Sequence, residues 1–151
     1  MFLRMRRCFP EISCTPCFLP YGAFLLLAVP LRVLGALILG AVCHELWHLV
    51  ALNLFGYRVS GISLGVFGAK IKTDPMIPWQ EAICALAGPL GGLTMLFFAR
   101  WIPLVALFAL AQSLFNLIPL YPLDGGRAVR ILSEIILAKW PGLAYNRRRI
   151  K

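Results

Sequence analysis

Four apolar stretches, separated by short polar or glycine- and proline-marked breaks, dominate the chain. The first, about Phe18–Leu31, is short for a membrane span, because a hydrocarbon core needs about 20 helical residues to cross it. It must tilt, extend upstream or insert only in part. The second, Val33–Phe55, has 23 residues and is long enough. The third covers about Ala82–Ala99. The fourth covers about Ile102–Leu120 and carries Gln112, Ser113 and Asn116. A shorter apolar run, roughly Ala128–Ala138, is predicted to be a helix at the interface or packed on the bundle.

Between the second and third stretches, Gly56–Gln80 changes character. Short β-branched and aromatic runs broken by Gly61, Gly65 and Gly68 predict a strand pair, with a turn at Thr73-Asp74-Pro75. An open sheet edge cannot face lipid, so this piece should sit at the water interface or line a cavity. The predicted fold class is an all-α polytopic membrane protein, with about four transmembrane helices and a small interfacial β-hairpin insertion. No internal repeat, low-complexity tract or linker marks a second domain, so residues 1–151 read as one membrane-embedded domain.

Composition strengthens this picture. The chain is 60% hydrophobic and only 14% charged, with a mean hydropathy of +0.82. Soluble globular proteins carry roughly 25% charged residues. Disordered and collagen-like classes are excluded on the same grounds. The net charge of +9 suggests nucleic acid in a soluble protein, but in a membrane protein it reports topology. With the N-terminus in the cytoplasm and four crossings, 13 of the 15 Lys and Arg fall on the cytoplasmic side, and only Arg32 and Arg100 fall outside. Residues 1–17 and the basic tail 140–151 are then cytoplasmic, and Arg147-Arg148-Arg149 is an anchor for anionic lipid. The expected surroundings are a lipid bilayer, with no nucleic-acid partner.

The ends and the cysteines add little. Arg4, Arg6 and Arg7 ahead of Phe18–Val29 look like a signal peptide, but no small-x-small cleavage site follows, so the segment reads as uncleaved. Five cysteines do not make a secreted disulfide framework, and Cys14-x-x-Cys17 is half a zinc site without a second half. Ordinary reduced thiols are expected.

The chemistry lies in the second stretch, at His44-Glu45-Leu46-Trp47-His48, which holds both histidines of the chain. On a helix, residues four apart lie about 40° apart around the axis, so both imidazoles face the same way. Glu45 falls between them in angle. This is the H-E-x-x-H arrangement, in which two histidines bind Zn²⁺ and the glutamate handles protons on a water. A carboxylate in a membrane span costs about 2.5–3.5 kcal/mol on the lenient insertion scale, so a chance Glu45 is disfavoured. Zinc needs a third protein ligand. The remaining acids are Glu11, Asp74, Glu81, Asp124 and Glu134. Asp124 stands out because Pro119 and Pro122 break the fourth stretch just before it, and Gly125-Gly126 follow. Broken backbone at membrane depth is tolerated only against protein or a water-filled cavity. Taken alone, Leu-Asp-Gly-Gly is also a common turn.

His44-Glu45-x-x-His48 on one span, with Asn116-x5-Pro122-Leu123-Asp124-Gly125 on a later one, resembles the site-2 protease family of intramembrane zinc metalloproteases. The likeness is strongest to its sporulation branch, typified by stage IV sporulation protein FB. It covers about Leu34–Ser133, including Ala87-Gly88-Pro89-Leu90 at the third stretch. The resemblance implies one Zn²⁺ per chain, with Asp124 as third ligand and Glu45 as the proton carrier. It also implies that Asn116 and Pro122 hold an extended substrate and shape the site, although Asn116 has an equal alternative role in capping the kink at Pro119.

The implied activity is hydrolysis of a peptide bond in or near a membrane segment of a membrane-tethered precursor, such as the pro-form of a transcription factor. The active site would lie toward the cytoplasmic side of the cell membrane. The alternative is a proteolytically inactive scaffold that retains the pocket, which intact Glu45 argues against. The modest number of spans leaves room for a second copy or a regulatory membrane partner. Two departures stand out. Many family members carry Asn where this chain has Gly92, which makes Gly88 to Gly92 a candidate helix-packing face. The regulatory domain common in the sporulation branch is also not evident after the Leu-Asp-Gly motif.

Overall fold

The computed structural model describes residues 11–65 and 68–139. The expectations for Arg4, Arg6, Arg7 and Cys8, and for the basic tail 140–151, lie outside the described residues. The element order is β1 (Glu11–Cys14), α1 (Phe18–Ala28), α2 (Leu31–Leu54), β2 (Val59–Gly65), β3 (Gly68–Thr73), α3 (Pro78–Gly92), a 3₁₀ helix (Leu93–Phe98), α4 (Pro103–Asn116) and α5 (Asp124–Lys139).

Prolines and glycines set these boundaries. Pro78 and Pro103 sit in the first turns of α3 and α4, where a missing N–H costs nothing. Gly56, at φ +76°, ends α2 in a left-handed cap: its N–H donates to the Asn53 carbonyl and the Tyr57 N–H to the Leu52 carbonyl. Gly91-Gly92, just after the proline inside α3, mark where the α-helix tightens into 3₁₀.

Two of these helical units, Leu31–Leu54 and Pro78–Phe98, are long and apolar enough to cross a membrane. The helices at Phe18–Ala28 and Pro103–Asn116 are apolar but shorter, at 11 and 14 residues, so the structure supports two candidate spans where the hydropathy pattern predicts about four. Large apolar side chains cover the outside of these helices, among them Leu27, Ile38, Leu39, Leu90, Leu107 and Leu114. A water-facing surface does not carry apolar patches on this scale.

The interior is built from small residues. Ala36, Gly40 and Ala51 of α2, Ala82, Ala85 and Gly88 of α3, Ala106 and Ala109 of α4, and Gly125 and Ala128 of α5 are buried. Without a hydrophobic drive between helices in lipid, small residues gain close backbone contact instead. α3 packs against α2, α4 and α5, which makes it the hub of the bundle. A charge-assisted clamp joins it to α5, where Arg127 Nε and Nη2 donate to Glu81 Oε1 at 3.0 and 2.8 Å.

The expected strand pair is present as antiparallel β2–β3, with Leu64 opposite Ala69. One element was not anticipated: β1 adds in parallel to β2, with Ile12 opposite Ile62, in the order β1-β2-β3. Its four-residue Glu-Ile-Ser-Cys run is too short for periodicity to reveal. Tyr57 ties the sheet to α3, its hydroxyl donating to Gln80 Oε1 at 2.6 Å and accepting the Ile77 N–H at 3.2 Å.

Candidate metal centre

α2 carries His44 and His48 one turn apart, with His44 buried against the bundle. α5 brings Asp124 to them from its first turn. The approach depends on the backbone break that the prolines and glycines predict. A Cβ on Gly125 would overlap the Leu117 carbonyl, and one on Gly126 would overlap the Leu120 carbonyl. Only glycine lets the start of α5 nest on the 117–121 segment. The Tyr121–Pro122 peptide is cis, and Pro122 lines the same cavity as the three ligand candidates.

The donor atoms form a nearly equilateral triangle. His44 Nε2 lies 3.1 Å from Asp124 Oδ2, His48 Nε2 lies 3.2 Å from it, and the two ring nitrogens are 3.3 Å apart. Zinc bonds of 2.0–2.1 Å in a tetrahedron imply ligand atoms about 3.3 Å apart. Two imidazoles and a carboxylate at this spacing are therefore a group that can hold a metal ion, and zinc suits the donor set. Burial alone would raise the Asp124 carboxyl, but hydrogen bonds and charge from His44 and His48 outweigh it and hold it down to about 2. Of the other acids, Glu81 also lines the cavity but is held by Arg127, and Glu134 lies 3.8 Å from Arg130 on its own helix.

The surroundings orient the ligands. His48 Nδ1 donates to the Cys84 carbonyl of α3 at 2.7 Å, which leaves the Nε2 lone pair for a metal. A Cβ on Gly88 would overlap His48 Nε2, so only glycine there lets the imidazole lie against α3. Gly91 makes the same room for Trp47, and Gly92 does so for Ser113 of α4. The small-residue face expected at Gly88 to Gly92 is thus divided between two neighbours, α2 and α4. The space that a side chain at Gly92 would fill is occupied by Ser113.

Glu45 sits between the histidines and the sheet. Its Oε1 accepts the Ala69 N–H of β3 at 3.1 Å. Gly68, at φ +115°, begins that strand, and a Cβ there would stand 3.1 Å from Glu45 Oε1. Asn116 is the last residue of α4, and its Nδ2 lies 3.4 Å from His44 Nε2. Its amide thus faces the histidines. A cavity of about 750 Å³ joins these groups, lined by His44, Glu45, His48, Asn116, Pro122 and Asp124, by β3, and by Thr15 and Cys17. The sheet therefore lines a protein cavity, one of the two placements that the hydrogen-bonding constraint allows. Cys14 and Cys17 are exposed and not paired in a disulfide.

Sequence reasoning named His44, Glu45, His48, Asp124, Asn116 and Pro122, and the structure brings all six to one cavity. It missed the β3 contact to Glu45, the Cys84 carbonyl and the position of Ser113. The polar Gln112, Ser113 and Asn116 within an apolar helix were the available signal for the last.

No protein-family model matches this chain. A protein of Synechocystis sp., provisionally named a zinc metalloprotease, is 35% identical over 118 residues, which are 66% of this chain and 31% of the relative. Stage IV sporulation protein FB of Bacillus subtilis is 29% identical over 122 residues, 71% of this chain and 42% of the relative. This chain therefore spans less than half the length of these curated relatives. Among solved structures, a site-2 protease from Methanocaldococcus jannaschii superposes with a TM-score of 0.67 over 93% of this chain and 72% of its own, at 23% identity. That likeness extends to the fold.

Proposed function

We propose that this chain, which belongs to the site-2 protease family, works as an intramembrane zinc metalloendopeptidase on membrane-tethered protein precursors. The observation that carries the proposal is the triangle of His44 Nε2, His48 Nε2 and Asp124 Oδ2, with edges of 3.1–3.3 Å, facing a cavity that also exposes Glu45. In this reading these three residues hold one zinc ion, which supplies a Lewis acid and acidifies a water at neutral pH.

Glu45 then accepts a proton from the attacking water and returns it to the leaving amine. Its Oε1 is already tethered to the Ala69 N–H, which aims the carboxylate and leaves Oε2 for the proton. Asn116 at the cavity wall offers an amide to a substrate backbone, and Pro122 shapes that wall.

A helix hides its scissile bond within its own hydrogen bonds, so the substrate must unwind before cleavage. β3 offers a template, because in the order β1-β2-β3 one of its sides is unpaired among the described residues. An extended substrate segment added there would run past Glu45. Four crossings, cytoplasmic termini and a site near the cytoplasmic face complete the reading. They rest on the apolar stretches and on the distribution of basic residues. The substrate class that fits is a precursor released by regulated intramembrane cleavage, such as a tethered transcription factor.

The test is co-expression with a membrane-tethered pro-protein, comparing the natural chain with Glu45→Gln. Loss of cleavage with zinc content retained is expected, since the variant keeps every proposed ligand. Equal cleavage by both would overturn the mechanism.

A further inference from the structure

Two buried side-chain atoms among the described residues have no hydrogen-bond partner: His44 Nδ1 and Ser113 Oγ. Ser113 is 0% exposed and His44 2%. A buried polar group left unpaired carries its full desolvation penalty. Two such orphans in one small bundle call for a common explanation.

They open onto the same spot. A Cβ on Gly92 would overlap Ser113 Oγ and lie 3.8 Å from His44 Nδ1. Glycine at 92 therefore leaves the space between α3 and α4 in which Ser113 Oγ sits, with His44 Nδ1 at its edge. The gap is within reach of a side-chain rotation or a single bridging water. The two atoms are also complementary. An imidazole that ligates through Nε2 carries its hydrogen on Nδ1 and must donate it, while a serine hydroxyl has two lone pairs to receive it.

The second histidine sets the precedent within this site. His48 donates its Nδ1–H to the Cys84 carbonyl. α4 otherwise buries Val105, Ala106 and Ala109 on this face, so an alanine would satisfy packing at 113. A hydroxyl at that depth needs a polar reason. The ordinary one is a bond back to the carbonyl four residues earlier, and Ser113 Oγ makes no such bond to Ala109.

We propose that Ser113 is a positioning residue of the metal site: its hydroxyl accepts the His44 Nδ1–H, directly or through one water beside Gly92, and so holds the ring in the tautomer that presents Nε2 to zinc. The proposal rests on the zinc reading above, and the experiment separates the two. Zinc affinity is measured on the detergent-solubilised full chain by competition with a chromophoric chelator. The ligand-field spectrum of the Co²⁺-substituted protein is recorded alongside, with thermal unfolding of the metal-free protein as the control for folding.

Ser113→Ala is expected to weaken zinc binding roughly 10–100-fold, as outer-shell changes do, and to shift the Co²⁺ bands without lowering the metal-free unfolding temperature. Ser113→Thr keeps the hydroxyl and should bind zinc close to the natural level. Gly92→Ala crowds Ser113 Oγ out of its place, and combining it with Ser113→Ala should add little, because both remove one interaction. Natural affinity and an unshifted spectrum in Ser113→Ala would overturn the proposal and leave the zinc reading intact. Failure of the unsubstituted chain to bind zinc would overturn both. If Ser113→Ala lowers metal-free stability, Ser113→Thr decides: retained affinity supports the hydroxyl's role, and a loss equal to that of alanine refutes it.

Discussion

Asp124 illustrates how much a single side chain depends on its neighbours here. It is one of six acids in the chain, and it reaches both histidines because two glycines after it and two prolines before it shape the backbone. Removing its charge while keeping its shape tests the assignment. Asp124→Asn is expected to lose zinc by more than the roughly 10–100-fold typical of an outer-shell change, measured as bound zinc per chain after dialysis. Unchanged zinc would remove Asp124 from the ligand set. The pairing of His44 with Glu45 and His48 was legible from spacing alone, because helical geometry converts a four-residue interval into a shared face. The roles of Gly88 and Gly92 were not legible in this way. A glycine in an apolar run is compatible with many neighbours, and only the packed bundle shows that His48 and Ser113 occupy the space their side chains would take.

At the scale of elements, the contact between α2 and β3 is the least expected and the most consequential for the proposed catalysis. Gly68 enters β3 at φ +115°, a region costly for any residue with a Cβ, and it stands against Glu45 Oε1. Gly68→Ala is therefore expected to displace the carboxylate and reduce cleavage by at least about 10-fold, the cost of about 1.4 kcal/mol at a transition state. Zinc content should stay unchanged, because no ligand touches that residue. A parallel loss of zinc would show that the strand supports the whole site rather than the proton carrier alone. The strand pair itself was predictable from β-branched runs and glycine breaks. Its docking on Glu45 was not, since a backbone N–H carries no sequence signature. β1 was missed for a related reason: four residues joined by main-chain bonds to a strand more than forty residues later leave little pattern to read.

The whole molecule couples an apolar exterior to a polar pocket. Small residues draw α2, α3, α4 and α5 together around a few buried large ones such as Leu34, Leu52 and Ile131, and many other large apolar residues face outward. Glu81 and Arg127 clamp the hub helix α3 to the helix that delivers Asp124. The proposed orientation rests on the placement of basic residues. A reporter fused after Lys151 is expected to give a cytoplasmic signal, because 13 of 15 Lys and Arg then lie on that side. An external signal would reverse the topology and move the site to the other face. The count of crossings is the weaker part of the hydropathy reading. α1 and α4, with 11 and 14 helical residues, fall short of the length that Leu31–Leu54 reaches.

The sequence by itself determined the class of molecule, the H-E-x-x-H helix and the identity of the candidate ligands. Composition, helical periodicity and the cost of placing acids in apolar segments are local properties that need no partner. Only the tertiary structure decided that His44, His48 and Asp124 close to 3.1–3.3 Å, that β3 holds Glu45 and that Ser113 Oγ and His44 Nδ1 both lie beside Gly92. Each of these joins segments distant in the chain, and their approach depends on which neighbours lack a Cβ.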